Sequence, residues 1–416
     1  MWLRGLGDPR DPNRIVYPAP FLITTGILMF LTKLGARRQM KFALDTAAML
    51  RNANGLAGTQ AERVEHPDTL EYLMRRMAPE ELSRLRLAMA RRLVRMKGLD
   101  RFRLFGRFLV VIDGTGHLVF TERHCEHCLT QRQGDRTIYY HMVLEAKLVT
   151  EAGLVISLAT EFIENADPDA DRQDCELGAF YRLAERLKAA FPQMRMCLLL
   201  DSLYMAEPVI RTCRENRWAY ITTFKEGSMP ERFTEAMALI ELSPENRRVL
   251  RRDETRQEYS WVNGLEVGGE TTNVLDCVET RPDGDATRFV WATSFELERD
   301  NVARIANKGG RLRWKIENEG FNEQKNSGYQ LEHAYSENET AAKNYYVLLQ
   351  IAHLIEQLVR MGSLLVRELG RGVRALFGGV RKLGEYLRES LRVCVIPAEA
   401  FALDTARRIQ IRFDTS

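Results

Sequence analysis

The sequence lacks the features that mark several specialised classes of protein. Its 416 residues include seven cysteines whose spacing forms no disulfide framework, which favours a reducing, cytosolic compartment. The run PFLITTGILMFL is too short to span a bilayer, and Lys33, Arg37 and Arg38 follow it, so it predicts a buried helix. We find no signal peptide and no internal repeat, and a net charge of +3 does not by itself indicate a partner.

The charge that is present is unevenly distributed. Nine basic residues and one acid lie between Leu82 and Phe108, and eight basic residues and three acids lie between Arg360 and Arg392. Such segments on a nearly neutral chain fit either contacts with a polyanion or ordinary solvated helix faces. The composition, 45% apolar and 28% charged, allows a substantial globular core.

The order of apolar patterns predicts an α/β fold. After a helical N-terminal region, FLVVID, TIYYHMVLEAKLV and LVISLATEFI predict three antiparallel strands, and MCLLLD and AYITTF predict two more. The helices CELGAFYRLAERLKAAF, which Asp174 is placed to cap, and PVIRTCREN separate the later strands. We therefore expect a five-stranded mixed sheet with helices on its faces.

A turn-rich stretch interrupts this pattern. EYSWVNGLEV, TTNVLDCVET and RFVWATSFEL alternate like strands, and Asn263-Gly264 and Asp283-Gly284 predict hairpin turns. We expect an inserted β subdomain here, separate from the main sheet. The predicted divisions are a helical region (1–105) that contacts the polyanion, a core (106–225), the insertion (226–296), the rest of the core (297–360) and a C-terminal helical region (361–416).

Apolar residues near the C-terminus recur at heptad spacing. They are Val366, Leu369, Val373, Leu376, Val380, Leu383 and Leu387. Five glycines in the same stretch argue against a long independent coiled coil. The stripe docks either on the protein's own core or on a second subunit, and the second alternative is slightly favoured.

Two other segments have the composition of metal sites. HCEHC contains Cys125 and Cys128 at a zinc-like spacing, but a closed zinc site normally needs a second ligand pair, and none is visible. A loop with reduced thiols is therefore preferred to zinc. NADPDADRQDCE resembles a calcium loop, but Gly178 occupies the position that requires glutamate, so an acidic linker is expected.

Three carboxylates suggest a different site. Asp113 and Asp201 each end a predicted buried strand, and Glu317 lies in RWKIENEGFNEQKN among aromatic and basic residues. Aspartate alone is common at strand ends because it forms turns. If the three carboxylates meet, they repel one another and need a cation, and hard oxygen ligands suit Mg²⁺ or Mn²⁺.

The strand order, the two aspartates, the insertion and the RWKIEN segment resemble the DDE transposases of bacterial insertion sequences, over about residues 105–350. The group with a β insertion in its RNase H-like, retroviral-integrase-like domain is the most similar. The resemblance implies that the first and fourth strands lie side by side and that a helix across the sheet supplies the glutamate. Asp113, Asp201 and Glu317 would then be catalytic and hold two Mg²⁺ or Mn²⁺ ions.

The family signature near the glutamate is tyrosine, two residues, arginine, three residues, glutamate, six residues, lysine. Arg313 and Glu317 match it, whereas Gly310 stands at the tyrosine position and Gln324 at the lysine position, with Lys325 next. By resemblance, arginine and lysine hold DNA phosphate near the cut.

We expect Arg313, Trp314, Lys325 and Lys225 to contact DNA, although Lys225 is equally an ordinary surface lysine. At 3.6 residues per turn, Arg313, Glu317, Gly320 and Gln324 share one face. Trp314 and Phe321 lie on an adjacent stripe, where core packing is favoured over stacking with a displaced base. Pairing with Arg313 at i to i+4 is the structural alternative for Glu317.

The resemblance implies a DNA transposase that cuts double-stranded DNA at the element's ends and joins the freed 3′-hydroxyl to a second phosphodiester. A homodimer on paired ends, in the bacterial cytoplasm and associated with the nucleoid, is expected. The alternatives are a metal-dependent nuclease without strand transfer and a catalytically inactive DNA-binding protein descended from a transposase.

Overall fold

The structure, a computed structural model, describes residues 3–166, 173–363, 366–367, 370–401 and 413. Its helices are α1 (Ala19–Leu31), α2 (Met40–Ala43), α3 (Ala47–Ala57), α4 (Pro67–Met74), α5 (Pro79–Arg95), α6 (Glu176–Ala190), α7 (Glu207–Glu215), α8 (Pro230–Glu241), α9 (Val302–Lys308), α10 (Glu323–Asn326), α11 (Glu339–Met361), α12 (Val373–Phe377), α13 (Val380–Val393) and α14 (Ala398–Phe401). Its strands are β1 (Phe108–Phe120), β2 (Leu129–Gln133), β3 (Arg136–Val149), β4 (Val155–Ile163), β5 (Met196–Leu200), β6 (Ala219–Thr223), β7 (Arg247–Arg252), β8 (Thr255–Val267), β9 (Glu270–Thr280) and β10 (Ala286–Thr293). Most of the expected acidic linker (167–172) and Leu369 of the heptad stripe lie outside the described residues.

The strands form one mixed sheet in the order β2-β3-β1-β5-β6-β10-β9-β8-β7, and β4 also pairs with β3. Strands β4, β3 and β1 are an antiparallel meander, as predicted, while β1, β5 and β6 run parallel. Strand β2 was not predicted because its side chains beyond Leu129 are polar and largely exposed, so the sequence shows no apolar alternation there.

The expected number of five strands is wrong, because β2 and the strands from the 226–296 stretch belong to the same ten-stranded sheet. Strand β10 pairs antiparallel with β6, with Trp291 opposite Thr223, and β9, β8 and β7 follow in turn. These strands therefore extend the sheet instead of forming a separate subdomain. The pairing satisfies backbone groups that would otherwise be exposed at the edge of β6. Strand β7 ends the sheet on this side.

The two predicted hairpin turns have different outcomes. Asp283-Gly284 does connect β9 to β10, and Gly284 has a φ of 92°. Asn263-Gly264 instead lies within β8, at an irregularity in its pairing with β9. The β8–β9 turn is Gly268-Gly269, where both φ angles are positive. The Asn263 side chain both donates to and accepts from the backbone of Leu297, which explains why the chain bulges there.

Apolar layers cover both faces of the sheet. Along β1, Leu109 and Val111 join the core formed by α1, α4 and α11, whereas Val110 and Ile112 join the core formed by α6 and α7. Helix α1 is the buried helix predicted from PFLITTGILMFL, and it packs on α11. Asp113 has the same strand parity as Val111, so it belongs to the α11 side. Among the described residues, no helix has the length and apolar content needed to cross a membrane.

The basic segment at the end of the N-terminal region is only partly a solvated face. Arg86 is buried and donates to Ser157, and Arg91 donates to the carbonyl of Ala190. The exposed residues of this segment include Arg92, Arg95, Lys97 and Arg101. Positive charge available to a ligand is therefore concentrated at the C-terminal end of α5 and just beyond it.

The heptad stripe docks on the protein's own chain in its described part. Val373 and Val380 are buried, and Gly378, with a φ of 74°, breaks the stripe between α12 and α13. Helix α13 packs against α3. The buried Asn52 side chain of α3 holds the end of α13 because it donates to the carbonyls of Leu391 and Cys394 and accepts from the amide beyond them.

We expect Asn52→Ala to lower the free energy of unfolding by about 2–3 kcal/mol, because it leaves buried backbone groups without partners. Urea denaturation measures this loss, and amide exchange at Ile396 should accelerate because its acceptor is removed. Asn13→Ala, at an exposed position, is the control. Equal stability of the two variants would show that α13 is held by apolar contacts alone.

Candidate active site

Two aspartates meet at the centre of the sheet. Strands β1 and β5 pair in parallel with Val111 opposite Leu199, so Asp113 and Asp201, each two residues further on, reach the same level on adjacent strands. Asp201 directly follows β5, and its Oδ1 accepts from the Leu203 amide at 2.8 Å, which caps a short 3₁₀ turn. Asp201 lies at the end of its strand as predicted. The prediction that Asp113 ends its strand is wrong, because β1 continues to Phe120 and Asp113 pairs with Glu145 of β3.

A third carboxylate, which sequence reasoning missed, comes from the opposite face of the sheet. Glu176 opens α6, and a Cβ added at Gly114 would lie 2.6 Å from its Oε1. The Tyr204 hydroxyl donates to Glu176 Oε2 at 3.3 Å. Glycine at position 114 thus leaves the space that this carboxylate occupies. The sequence signal was an acidic residue in the first turn of a helix that packs on the sheet.

Asp174 does not cap this helix, contrary to expectation. Cys175 is the N-cap residue and makes no side-chain cap bond. Asp174 instead accepts from Arg182 at 2.5 Å, and Arg182 lies in the second turn of α6. The ion pair with Arg182 therefore replaces the predicted capping bond and ties the loop to the body of the helix.

Burial and neighbouring carboxylates raise the pKa of two members of this group, Asp113 and Glu176. Burial, followed by the charges of Asp201 and Glu176, raises the pKa of Asp113 to about 6, although Arg313 acts in the opposite direction. Burial, together with the charge of Asp201, also raises the pKa of Glu176. A single guanidinium is insufficient compensation for three carboxylates, so the site favours an additional cation.

Arg313 is the basic residue that contacts this group. Its Nη1 lies 3.4 Å from Asp113 Oδ2, and its guanidinium stacks over the Trp314 ring at 4.5 Å. The indole is 54% exposed, so the core-packing interpretation of Trp314 is wrong, whereas Phe321 is fully buried as that interpretation predicted. Because Arg313 pairs with Asp113, it does not form the alternative i to i+4 pair with Glu317.

Glu317 lies on a π-helix, Ile316–Asn322, that packs against β1 and β4. Its side chain is exposed and, in the described part of the chain, has no hydrogen bond or ion pair. Its charge instead acts on the buried Lys147 ammonium, where it opposes the lowering of the pKa by burial. Asp113 and Asp201 thus lie level on adjacent strands, whereas within the described residues neither makes a hydrogen bond with Glu317.

The expected helix face is wrong because the winding is not 3.6 residues per turn. The segment passes from a 3₁₀ turn (Gly310–Arg313) into the π-helix and then into α10. Gly320 and Gln324 are buried, unlike Glu317. A π-helix bonds i to i+5, so the spacing of side chains around the axis changes within this segment.

Gln324, at the lysine position of the signature, belongs to a buried polar network. It donates to Gln350 and contacts His353, each at 2.9 Å, and accepts from Lys147 at 3.3 Å. Lys325 pairs with Glu332 at 3.1 Å. The network fixes the end of the π-helix on α11, so this position has a structural role here.

A cleft of about 450 Å³ adjoins Asp201. We call it the Trp314 cleft, and its lining includes Asp201, Lys225, Phe289, Arg311, Arg313 and Trp314. Arg311 is paired with Glu279, whereas the exposed Lys225 has no side-chain partner among the described residues. A negatively charged polymer in the cleft would meet Lys225 and the exposed indole beside Arg313.

The missing tyrosine of the signature has a steric explanation. A Cβ at Gly310 would collide with the Trp291 indole, which is buried and stacks on Phe289 at 5.6 Å between ring centroids. A tyrosine cannot fit at position 310 while Trp291 occupies that space. An indole contributed by β10 therefore fills the wall of the cleft at this point.

Asp113→Asn should stabilise the metal-free protein at neutral and higher pH. The folded pKa near 6 exceeds the value of 3.8 for an unperturbed aspartate, so ionised Asp113 destabilises the fold fully above pH 6 and hardly at all near pH 4. We expect a gain of about 1–3 kcal/mol at pH 8 that disappears as the pH falls towards 4.

Urea denaturation in a chelator at pH 8, 6 and 4.5 measures this gain. Asp300→Asn, at an exposed turn, is the matched control. A gain that is equally large at pH 4.5 and pH 8 would contradict the burial and repulsion assigned to Asp113.

The comparison with protein-family models matched no family, and a search of curated proteins found no match.

Proposed function

We propose that the chain is a DDE-type DNA transposase. The observation that carries the proposal is that Asp113 and Asp201 lie level on adjacent parallel strands, in a half-buried position, beside Arg313 of the RWKIEN segment. Further support comes from the sheet order β4-β3-β1-β5-β6, in which the first and fourth predicted strands are neighbours, as in an RNase H-like core.

The chemistry of the acidic group fits hard divalent cations. Asp113 and Asp201 would hold them through carboxylate oxygens, the ligands that Mg²⁺ and Mn²⁺ prefer. When bound, a pair of such ions lowers the pKa of water and stabilises the leaving oxygen of a phosphodiester. Deprotonation of Asp113, with its pKa near 6, is required for binding, so affinity should rise between pH 5 and pH 7.

The third ligand has two candidates. Glu317 has the position in the signature that the resemblance assigns to the ligand, and its exposed side chain is free to turn towards a bound ion. Glu176 already shares the site, but it accepts from Tyr204 and approaches from the other face. Separate substitutions of Glu176 and Glu317 therefore test which carboxylate the reaction needs.

The remaining residues of the Trp314 cleft would position DNA. Lys225 and Arg313 supply charge for phosphate, and Trp314 offers a face on which a displaced base stacks. We further propose a homodimer on paired ends and a location on the bacterial nucleoid. The part of the heptad stripe on α13 packs against α3 of the same chain.

The first test compares Glu317→Gln with Glu176→Gln on labelled DNA ends in Mg²⁺. Substitution of the glutamate that completes the metal site should lower the rate of DNA cleavage by at least about 100-fold. Residues that only orient a metal ligand typically contribute about 10- to 100-fold. DNA binding, measured by gel shift, should stay nearly constant because neither glutamine removes a phosphate contact. Glu298→Gln, at an exposed position, is the control.

The outcomes separate the candidates. If only Glu317→Gln abolishes cleavage, Glu317 is the third metal ligand, as the signature implies. If only Glu176→Gln abolishes cleavage, the third ligand is Glu176 of α6. Cleavage by both variants at the wild-type rate overturns the transposase proposal. Cleavage by the wild type without joining of the 3′-hydroxyl to target DNA favours the nuclease alternative.

A second test separates charge from stacking in the Trp314 cleft. Lys225→Ala should make the salt dependence of DNA binding shallower by about one unit, because one phosphate contact is lost. Trp314→Ala should leave that slope unchanged but weaken binding to ends with unpaired bases by about 1–3 kcal/mol. Gel-shift titrations at several salt concentrations measure both, and identical effects of the two variants would contradict these roles.

A further inference from the structure

Two cysteine sulfurs and two histidine nitrogens lie close together in a cluster that is separate from the acidic site. His124, Cys125 and Cys128 lie in the loop between β1 and β2, and His141 lies on β3. The Cys125 and Cys128 sulfurs are 3.3 Å apart, and His141 Nε2 lies 3.3 Å from one and 3.4 Å from the other. His124 Nδ1 lies 3.3 Å from the Cys128 sulfur, and all four atoms lie within 4.8 Å of one another.

These separations are close to those of a tetrahedral zinc centre. Zn–S bonds of about 2.3 Å and Zn–N bonds of about 2.05 Å place two sulfurs about 3.8 Å apart and a sulfur and a nitrogen about 3.6 Å apart. The two sulfurs therefore need to separate by about 0.5 Å, and the quoted sulfur–nitrogen pairs by about 0.2–0.3 Å. Two thiolates and two imidazoles are a ligand set that selects zinc over Mg²⁺.

The surroundings hold the ligands in place. Phe120 stacks on the His124 ring at 4.0 Å between centroids, and the backbone of Glu337 bonds to that imidazole. Asn165 donates to the Cys128 carbonyl at 2.9 Å. Bonds from ligand-bearing segments to neighbouring backbone are the outer support that zinc sites typically have.

The β1–β2 loop also contacts the rest of the fold through His127, which is not one of the four clustered residues. His127 Nδ1 bonds to the carbonyl of Asn165 at 2.8 Å, and its Nε2 lies 3.7 Å from Glu339 at the start of α11. Cys128 and His141 are buried. The cluster therefore links the β1–β2 loop to β3, and its flank reaches α11.

We propose that His124, Cys125, Cys128 and His141 form a structural zinc site. All four positions come from the protein, so the site is closed and leaves no place for a reacting water. The zinc pins the β1–β2 loop to β3, which is hydrogen-bonded to the strand that carries Asp113. The role is distinct from the metal chemistry of the acidic site.

The first test is the zinc content of the purified, dialysed full chain. We expect about one zinc per chain in the wild type and in Cys175→Ser, which alters an exposed cysteine outside the cluster. Cys128→Ser and His141→Ala should each lose most of the metal and lower Tm. Cobalt substituted for zinc should show thiolate-to-cobalt absorption in the wild type that Cys128→Ser weakens.

A second measurement on the wild type covers the case in which the variants do not fold. Cys125 and Cys128 should resist a thiol reagent until a strong chelator is added, whereas the exposed Cys175 and Cys394 should react at once. A wild type without zinc after growth in zinc-containing medium, full zinc in both variants, or a Cys125–Cys128 disulfide would overturn the proposal.

Discussion

The parallel pairing of β1 with β5 determines where the acidic site forms. Phe108–Val111 lie opposite Met196–Leu199, and these residues are buried, with alternate side chains in the cores on the two faces of the sheet. A slip of one residue in either strand would exchange the two sets of side chains, so packing on both sides fixes the register. That register brings Asp113 level with Asp201. Glu176 and Arg313 contribute to the acidic site only because the two aspartates are aligned in this way.

Two acidic clusters in this chain show how differently buried charge can be treated. Glu323 is paired with His353 and Arg360, and these partners lower its pKa to about 2 despite burial. Asp113 has one arginine and two acidic neighbours, and its pKa rises. In the first cluster, basic partners hold the carboxylate in its charged form. The second is destabilising without a cation, which is the imbalance expected of a site that binds one.

The sequence was informative where local pattern decides the structure. Short apolar runs that end in aspartate identified β5 and the first part of β1. The burial of Phe321 was expected as ordinary core packing of a large apolar side chain. Long-range partners could not be inferred in this way. Glu176 and His141 joined their clusters through strand pairing and helix packing. The π-helical winding of Ile316–Asn322 is one that a 3.6-residue periodicity does not describe.

The continuation of the sheet through β10 moves its free edge to β7. That strand reads RRVLRR, and among the described strands it pairs with β8 alone. An unpaired edge is a template on which another chain can add a strand, and proteins discourage this with charge. Four arginines on the last strand repel an identical edge. Charge of one sign along such an edge disfavours the end-to-end joining of two sheets, and it is the kind of rim that attracts polyanions.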